Sequence, residues 1–347
     1  METKEIDITD GMRQLYIPRL NMVSKCTEES LRTWLANNDS FVPSSSGLGD
    51  SFELVFYDIS TFLSCLASDI SRLSCASIES LNNINEALEP KKFLAWELVK
   101  YYYSAFYSAH STLKICGFGL VQLDQRILNN IKNRANTLGS AFPSLGKGIY
   151  CFKIDGASSK VTFFRVGRYD DNHKGLWHRY IDFLDVLSGL SIETNNLDAN
   201  CIRKNESATK PKMCIYSQMP LADDEAVVSR LDELKAVINK RGDSNWLSST
   251  RNMINYNHAY GVWFPYKQFE ESHFQIPTLK DLYLLPPLSE QLSLDSLPSL
   301  SEYVKCCQLV NSINYSLLND LAKRHPDSKS FLLKGPFAYL KLYKKPR

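Results

Sequence analysis

An arginine and a histidine stand seven positions apart in the polar segment 248–260, as Arg251 and His258. Seven helical steps of about 100° return a side chain to within roughly 20° of its starting direction, about 10.5 Å along the axis. A helix here would place both side chains on one face, with Asn255 between them. A guanidinium binds phosphate oxygens as a fork and keeps its charge, while an imidazole exchanges protons near neutral pH. The segment therefore predicts a site for phosphodiester chemistry.

The spacing by itself is also compatible with an exposed helix face or with a structural histidine, because the pattern is loose. The chain repeats it at Arg168 and His173, which follow a strand-like run and lie among turn-forming Asp and Asn residues. No helix is expected to align this second pair.

The helix expected around Arg251 has signals at both ends. Asp243 or Ser244 can cap its N-terminus, and Gly261 is expected to end it. His258 would then lie in the last turn, where the helix dipole favours the protonated imidazolium by about 0.3–1 kcal/mol.

A second segment, 96–117, has the periodicity of a long helix whose seam is rich in aromatic residues. Small residues between the aromatic ones would let a partner helix approach closely, and Gly117 suits the C-terminal cap. Core packing explains the aromatic stripe, and a buried, hydrogen-bonded role explains His110. The seam comprises Trp96, Val99, Tyr103, Phe106, His110 and Leu113.

Together the two segments resemble the HEPN domains of prokaryotic toxins and antiviral defence proteins. Residues 102–109 match an early helix of the type Tyr-Tyr-Ser-x-Phe-Tyr-x-Ala. Arg251, Asn252 and His258 match a later helix with Arg, a polar residue and His, and Tyr260 completes an Arg…His-x-Tyr form of toxins that pair with nucleotidyltransferase antitoxins. The resemblance covers 91–140 and 226–266, which lie further apart than the two helices of a minimal HEPN bundle.

The resemblance implies a metal-independent endoribonuclease that uses no cofactor. His258 would be the general acid or base toward the ribose 2′-hydroxyl or the leaving 5′-oxygen, and Arg251 would stabilise the phosphorane. Such a transesterification leaves a 2′,3′-cyclic phosphate. The family also implies a homodimer with one composite site, a role as a toxin or as an abortive-infection, anti-phage effector, RNA such as tRNA as substrate, and an antitoxin or defence-system partner protein.

Four neighbouring residues have supporting roles in this interpretation. Asn252 and Asn255 would orient the substrate or hold the tautomer of the histidine, and Tyr256 would stack on a base. Capping or packing explains these three residues equally well. By the family analogy, Tyr260 is a target for AMPylation.

Two other functions stay open. The protein could be a non-catalytic HEPN-like partner-binding or sensor subunit of a defence complex, with the region 141–221 recognising another protein or a phage component. A transferase would need a nucleotide pocket, and the sequence has neither a Gly-rich phosphate loop nor a nucleophile elbow.

Composition limits the kinds of partner. The net charge of +2 requires any RNA-binding surface to be local, with the basic residues of 203–212 and of the tail 341–347 as contributors, although the tail also suits a solvated terminus. No apolar run reaches the roughly 18–20 residues that cross a bilayer, the acidic start is unlike a signal peptide, and the nine scattered cysteines lack metal-binding spacing. We therefore expect a cytoplasmic protein with no membrane contact, metal or cofactor.

The expected fold is mainly α: an HEPN-like helical bundle with a β-hairpin-containing insertion and extra N- and C-terminal helices. The expected regions are an N-terminal helical region (1–90), the first half of the bundle (91–140), a β-containing insertion and polar loop (141–221), the second half with the Arg/His helix (222–275) and a C-terminal helical region (276–347). Besides the two segments above, helices are expected at 28–37, 51–87, 123–138, 175–190, 222–240 and 299–324, and a hairpin at 148–154 and 160–166.

Overall fold

The computed structural model describes residues 12–13, 16–37, 40–47, 49–82, 94–155, 159–166, 171–192, 235–236, 238–239, 244–263, 277 and 299–343, with the backbone alone for 185–192 and 343. This part of the chain is mostly helical and contains a five-stranded antiparallel sheet. The mainly helical character is confirmed, but the β structure extends well beyond the expected hairpin. No helix within these ranges is long and apolar enough to span a membrane.

Helices and strands alternate through the first half of the described chain. The helices are α1 (Leu31–Asn37), α2 (Ser60–Asn82), α3 (Leu94–Ile115), α4 (Gln125–Thr137), α5 (Asn172–Ile192), α6 (Trp246–Tyr256), α7 (Leu300–Lys323), α8 (Phe331–Lys334) and α9 (Pro336–Tyr343). The strands are β1 (Phe41–Ser45), β2 (Ser51–Phe56), β3 (Phe118–Leu123), β4 (Gly148–Asp155) and β5 (Lys160–Arg165). Two 3-10 turns lie at Leu20–Met22 and Ala259–Gly261.

The sheet has the strand order β1-β2-β5-β4-β3, and every neighbouring pair is antiparallel. The expected hairpin is confirmed as β4 and β5. It is not an isolated insertion, because β2 pairs with β5 and β3 pairs with β4. Phe52 of β2 lies opposite Phe163 of β5, and their rings stack with centroids 4.8 Å apart. The sheet therefore joins strands from three of the regions that the sequence separates.

The expected helix at 51–87 is wrong in its first part, where β2 forms instead. Phe52, Leu54 and Phe56 are buried and alternate with more polar or exposed positions, which is the period of a strand with one buried face. The helix begins only at Ser60, whose backbone N–H donates to Oδ1 of Asp58 at 2.9 Å. Pairing with β1 and β5 outweighs the weak helical spacing here.

Helix α3 forms as expected, and the chain reverses after it at Gly117. This glycine has a φ of +81°, so the predicted cap is confirmed. The strand β3 that follows was not predicted. Gly119 in β3 lies under the ring of Phe152, where an added Cβ would come within 2.5 Å of a ring carbon.

Helix α3 packs between α2 and α7. Small polar side chains replace large apolar ones along these contacts. Ser77 of α2 hydrogen-bonds Ser104 of α3 at 2.9 Å, and Ser104 donates to Oδ1 of Asn311 in α7 at 3.2 Å. We call these residues the polar seam: Ser74, Ser77, Ser104, Ser108, Ser111, Thr112, Asn311 and Asn314, all buried. Their hydrogen bonds satisfy most of the polar groups that would otherwise destabilise the core, although Nδ2 of Asn311 has no partner among the described residues.

Helix α7 confirms the predicted final helix. Ser299 and Glu302 form a capping box at its start, in which each side chain accepts from the backbone N–H of the other residue. The face expected to be apolar is buried in the core: Tyr303, Cys306, Cys307, Val310, Ile313 and Leu317.

The helices expected at 123–138 and 175–190 are confirmed as α4 and α5. The helix expected at 222–240 lies outside the described residues, apart from fragments at 235–236 and 238–239. The basic residues of 203–212 and the last four residues of the tail also lie outside them.

Candidate active site

Helix α6 packs against α3 and places Arg251 in its buried stripe. Leu247, Arg251 and Ile254 follow one another at steps of four and three, the spacing of a helix face that packs on a core. The Arg251 side chain is therefore carried inward by its apolar neighbours, and the residue is only 6% exposed. An arginine in such a position is unusual, because charged residues are seldom buried without a partner.

The guanidinium of Arg251 lies over two tyrosine rings of α3. Its central carbon, Cζ, is 5.2 Å from the ring centroid of Tyr102 and 5.5 Å from that of Tyr103. Cation–π attraction of about 0.5–2 kcal/mol per ring offsets part of the cost of burying the charge. Among the described residues none forms a salt bridge with Arg251, and its Nε has no hydrogen-bond partner. The guanidinium of Arg251 is therefore a buried positive charge that no carboxylate of the described residues pairs with.

A histidine does lie beside this guanidinium, but it is His173 in the first turn of α5. Nδ1 of His173 is 2.8 Å from the hydroxyl oxygen of Tyr102, and Trp177 donates its Nε1–H to the same oxygen at 3.1 Å. The imidazole also packs on Phe106, with ring centroids 4.3 Å apart. Buried Trp177, one turn further along α5, anchors the helix so that His173 reaches the tyrosine.

Burial and charge act together on the titrating groups of this cluster. Partial burial lowers the pKa of His173, the positive charge of Arg251 lowers it further, and the carboxylate of Asp171 opposes both effects. His173 is therefore neutral at pH 7. Burial raises the pKa of Tyr102 to about 12, so its hydroxyl keeps its proton.

His110, the other histidine of the aromatic seam, lies one helical turn beyond Phe106 on α3. Its ring meets Phe106 edge-on, with centroids 4.8 Å apart. Burial lowers the pKa of His110, and the positive charge of Lys114 lowers it further. The structure places this histidine against the core, in keeping with a packing role.

His258 is not on the helix that carries Arg251, so the expectation of a shared helix face is wrong. Helix α6 ends at Tyr256, and His258 has a left-handed backbone with a φ of +51°. Beyond it, Val262 is buried and Trp263 donates its Nε1–H to the carbonyl oxygen of Ile254. Burial of Val262 and the hydrogen bond of Trp263 turn the chain back before another helical turn can form.

The two residues of the predicted pair contact α3 at different levels. The exposed His258 stacks on Trp263 with ring centroids 5.6 Å apart, and Trp263 meets Trp96 edge-on at 5.7 Å. Arg251 lies over Tyr103, which is seven residues after Trp96 on α3. At 1.5 Å per residue, the two levels on α3 are about 10 Å apart. Within one protomer, the groups packed on α3 therefore place Arg251 beside His173, and His258 about two turns away.

The supporting residues lie on the outer side of α6 or beyond its end. Asn252 and Tyr256 are exposed, and Asn255 is partly buried. Tyr260 is also partly buried, with a φ of +66°, and burial raises the pKa of its hydroxyl. Ser244, an expected helix cap, instead hydrogen-bonds Nδ1 of His178 at 2.6 Å, and α6 begins without a side-chain cap.

Sequence reasoning set aside His173, although one signal pointed to it. His173 precedes the apolar face of α5 at the right interval, four positions before Trp177 and seven before Tyr180, both buried. Its spacing partner, Arg168, lies outside the described residues. The arginine that accompanies His173 comes from α6 instead, which no local spacing could reveal.

Metal ligation has no site in the described part of the chain, where no three His, Cys, Asp or Glu side chains are grouped to hold an ion. Comparison with known protein families, with curated proteins and with solved structures finds no match to this chain.

Proposed function

We propose that the protein is a metal-independent endoribonuclease with an HEPN-like helical bundle, in which Arg251 binds the scissile phosphate. The observation that carries this proposal is the buried guanidinium without an anionic partner among the described residues. A phosphate would supply the missing negative charge, and its oxygens match the forked donors of an arginine. The resemblance of the two helical segments to HEPN domains supports the same chemistry.

The proposed reaction is an internal transesterification of RNA. The ribose 2′-oxygen attacks the adjacent phosphorus, the bond from phosphorus to the 5′-oxygen breaks, and Arg251 stabilises the charge on the phosphoryl oxygens. A general base takes the proton of the 2′-hydroxyl, and a general acid protonates the leaving 5′-oxygen. The products are a 2′,3′-cyclic phosphate and a 5′-hydroxyl. DNA would not be cut, because it lacks the nucleophile.

His258 is the proton-transfer residue that the sequence pattern nominates, and a homodimer would bring it to Arg251 of a second protomer. Two features support a composite site. His258 is exposed rather than packed in the core. Trp96 and Tyr256 are 51% and 69% exposed, and such aromatic side chains are enriched at protein interfaces. Asn252 and Asn255 would orient the substrate in that site.

The biological setting of the proposal follows from the HEPN resemblance alone. We propose a cytoplasmic toxin or anti-phage effector that cleaves RNA such as tRNA. An antitoxin or a defence-system partner protein would control it, and Tyr260 would be the position of an inactivating AMPylation.

A second candidate function is that of a non-catalytic partner-binding subunit. The observation that favours it is the packing of Arg251 itself, since a guanidinium held over Tyr102 and Tyr103 also suits a residue that only supports the bundle. In that case Arg251 would stabilise the fold, and the exposed Trp96 and Tyr256 would serve partner binding alone.

The test is cleavage of total cellular RNA and of a tRNA pool by the purified protein in EDTA, with analysis of product ends. We expect cyclic phosphate ends from the intact protein and from Arg126→Met, an exposed arginine on α4 that serves as the matched control. Arg251→Met and His258→Ala should lose cleavage while remaining folded. Mixing these two variants should restore part of the activity if the site is composite, because in a mixed dimer one of the two Arg251/His258 pairs across the interface keeps both residues. Absence of cleavage by the intact protein, alone or with its partner, would exclude the nuclease and favour the binding subunit.

A further inference from the structure

We propose that His173 is the general base of the site around Arg251 and that Tyr102 is its positioning residue. This inference rests on the proposed ribonuclease function and adds a residue from a third helix, α5, that the Arg/His pattern does not contain. Three independent features support it: the place of the imidazole, the hydrogen bonds on its Nδ1 side, and the charges around it.

The imidazole of His173 is held on one side and partly open on the other. Phe106 covers a ring face, and Nδ1 is tied to the hydroxyl of Tyr102 at 2.8 Å. The residue is partly exposed, whereas Tyr102 and Trp177 beneath it are buried. A histidine with one nitrogen anchored in the core can present the other nitrogen, Nε2, to a substrate in a fixed orientation.

The hydrogen bonds of the Tyr102 hydroxyl are compatible with a bare Nε2. An indole N–H can only donate, so Trp177 uses one of the two acceptor positions of the tyrosine oxygen. If Nδ1–H of His173 donates to the other position, the tyrosine's own O–H is left for the side chain of Ser248, which also hydrogen-bonds it. In this arrangement the Tyr102 hydroxyl is fully hydrogen-bonded and Nε2 of His173 carries no proton.

The charges around His173 keep it in the basic, neutral form. Arg251 lies on the neighbouring α6, and its positive charge lowers the pKa of the imidazole in addition to the effect of burial. The same guanidinium would bind the phosphate next to the 2′-hydroxyl. The imidazole of His173 would then lie close to the hydroxyl from which it takes the proton. Among the described residues, the titratable and charged groups that face His173 are Tyr102, Tyr103 and His110 from α3, Arg251 from α6, and Asp171, two positions earlier in the chain.

In the proposed step, Nε2 of His173 takes the proton of the 2′-hydroxyl while the 2′-oxygen forms its bond to phosphorus. The bond from phosphorus to the 5′-oxygen breaks, and that oxygen is protonated by a separate acid, for which His258 of a second protomer or water is available. The imidazolium of His173 then returns its proton to solvent. Proton and bond changes balance without any metal or cofactor.

The decisive variant is His173→Asn, whose side-chain amide can still hydrogen-bond Tyr102 but has no basic nitrogen. We expect the rate of RNA cleavage to fall by about 10²–10⁴-fold, the usual contribution of a general base, with the thermal unfolding midpoint nearly unchanged. His173→Ala should regain activity when imidazole is added, which a merely structural residue would not do. Tyr102→Phe should lower kcat with inorganic phosphate binding retained.

The pH profile supplies an independent readout. Asp171→Asn keeps an acceptor for the backbone N–H of His173 but removes the carboxylate that raises the pKa of the imidazole. The acid limb of the kcat/KM profile should therefore move to lower pH. Full cleavage by His173→Asn, with Arg251→Met inactive, would overturn the role of His173 and leave the nuclease intact. No cleavage by the intact protein would overturn both.

Discussion

Replacing Arg251 by methionine should make the protein more stable in the absence of anions. The substitution removes a buried charge that no described carboxylate balances, at a residue that is 6% exposed. Burial of an unpaired ion costs several kcal/mol, of which the rings of Tyr102 and Tyr103 return about 1–4 kcal/mol. Methionine keeps the apolar contacts of the arginine stem. We therefore expect the free energy of unfolding to rise by about 1–3 kcal/mol, with an increase in Tm of several degrees.

Inorganic phosphate should make the natural protein more stable than Arg251→Met. A ligand that binds only the folded protein stabilises it by RT ln(1 + [L]/Kd), which is about 2.7 kcal/mol at one hundred times Kd. The natural protein should therefore gain stability with phosphate concentration, whereas Arg251→Met should not respond. A measurement in chloride at the same ionic strength shows how much of the change in stability comes from charge screening rather than from phosphate binding. Arg251→Lys keeps the charge without the fork and should respond more weakly.

Urea unfolding with and without phosphate measures both effects. Arg126→Met on the surface of α4 is the matched control, and it should stay within about 0.5 kcal/mol of the natural protein and keep its response to phosphate. A loss of more than about 1 kcal/mol in Arg251→Met relative to the natural protein, measured without phosphate, would contradict an unbalanced charge at this position. That result would show that the two tyrosines hold Arg251 as a structural residue, and it would favour the binding subunit.

Three further predictions concern the scaffold. Asp69→Asn should destabilise the protein by about 3–5 kcal/mol in urea unfolding, because it leaves the ammonium of Lys114, whose side chain is 7% exposed, without its carboxylate. Although burial alone would raise it, Lys114 and Arg72 hold the pKa of Asp69 below 3.8, so this stability should be lost as the pH falls below about 4 and be absent from the variant. Gly119→Ala should lower stability by about 1–3 kcal/mol through its clash with Phe152.

Each of these predictions has its own control. Leucine at position 69 combined with Lys114→Met should recover most of the loss, since apolar residues then replace both charges. A flat pH response of the natural protein below pH 4 would contradict the role of Asp69. In Gly175→Ala on α5, the added Cβ would lie 3.7 Å from Cδ2 of Leu120, an ordinary van der Waals distance. This substitution should be neutral or stabilising by up to about 1 kcal/mol. Equal effects of the two alanine substitutions would show that Phe152 can move aside.

The helices of this protein were predictable because their signals are local. Helix α7 carries its capping box and its apolar spacing within one continuous segment, and α3 has a seam that ends at Gly117. Strands β1, β2 and β3 were missed because the sheet is assembled from separate parts of the chain: β1 pairs with the neighbouring β2, but β2 then pairs with β5, and β3 pairs with β4. Phe52 pairs with Phe163, which lies more than a hundred positions later in the chain, and no residue near Phe52 predicts that pairing.

The candidate site was half predictable for the same reason. Arg251 was identified as a site residue from its own segment, whereas Tyr102 was predicted only as part of the long helix that carries it. The partner of Arg251 was not, because His173 reaches it only after α5 docks on α3 through Trp177. His258 leaves the helix face because Val262 is buried, and burial of a residue four positions ahead is not visible in a helical spacing.

The polar seam also sets an order of events during synthesis. Thr112 of α3 donates to Asn314 of α7, 202 positions later in the chain. At about 5–20 residues per second, a ribosome needs roughly 10–40 s to make the intervening chain. Throughout that interval, Ser104 and Thr112 of α3 lack the amide oxygens that Asn311 and Asn314 of α7 supply, although the serines of α2 are already present. The polar contacts of α3 therefore remain incomplete until α7 has been synthesised, and these helices can pack fully only after that point.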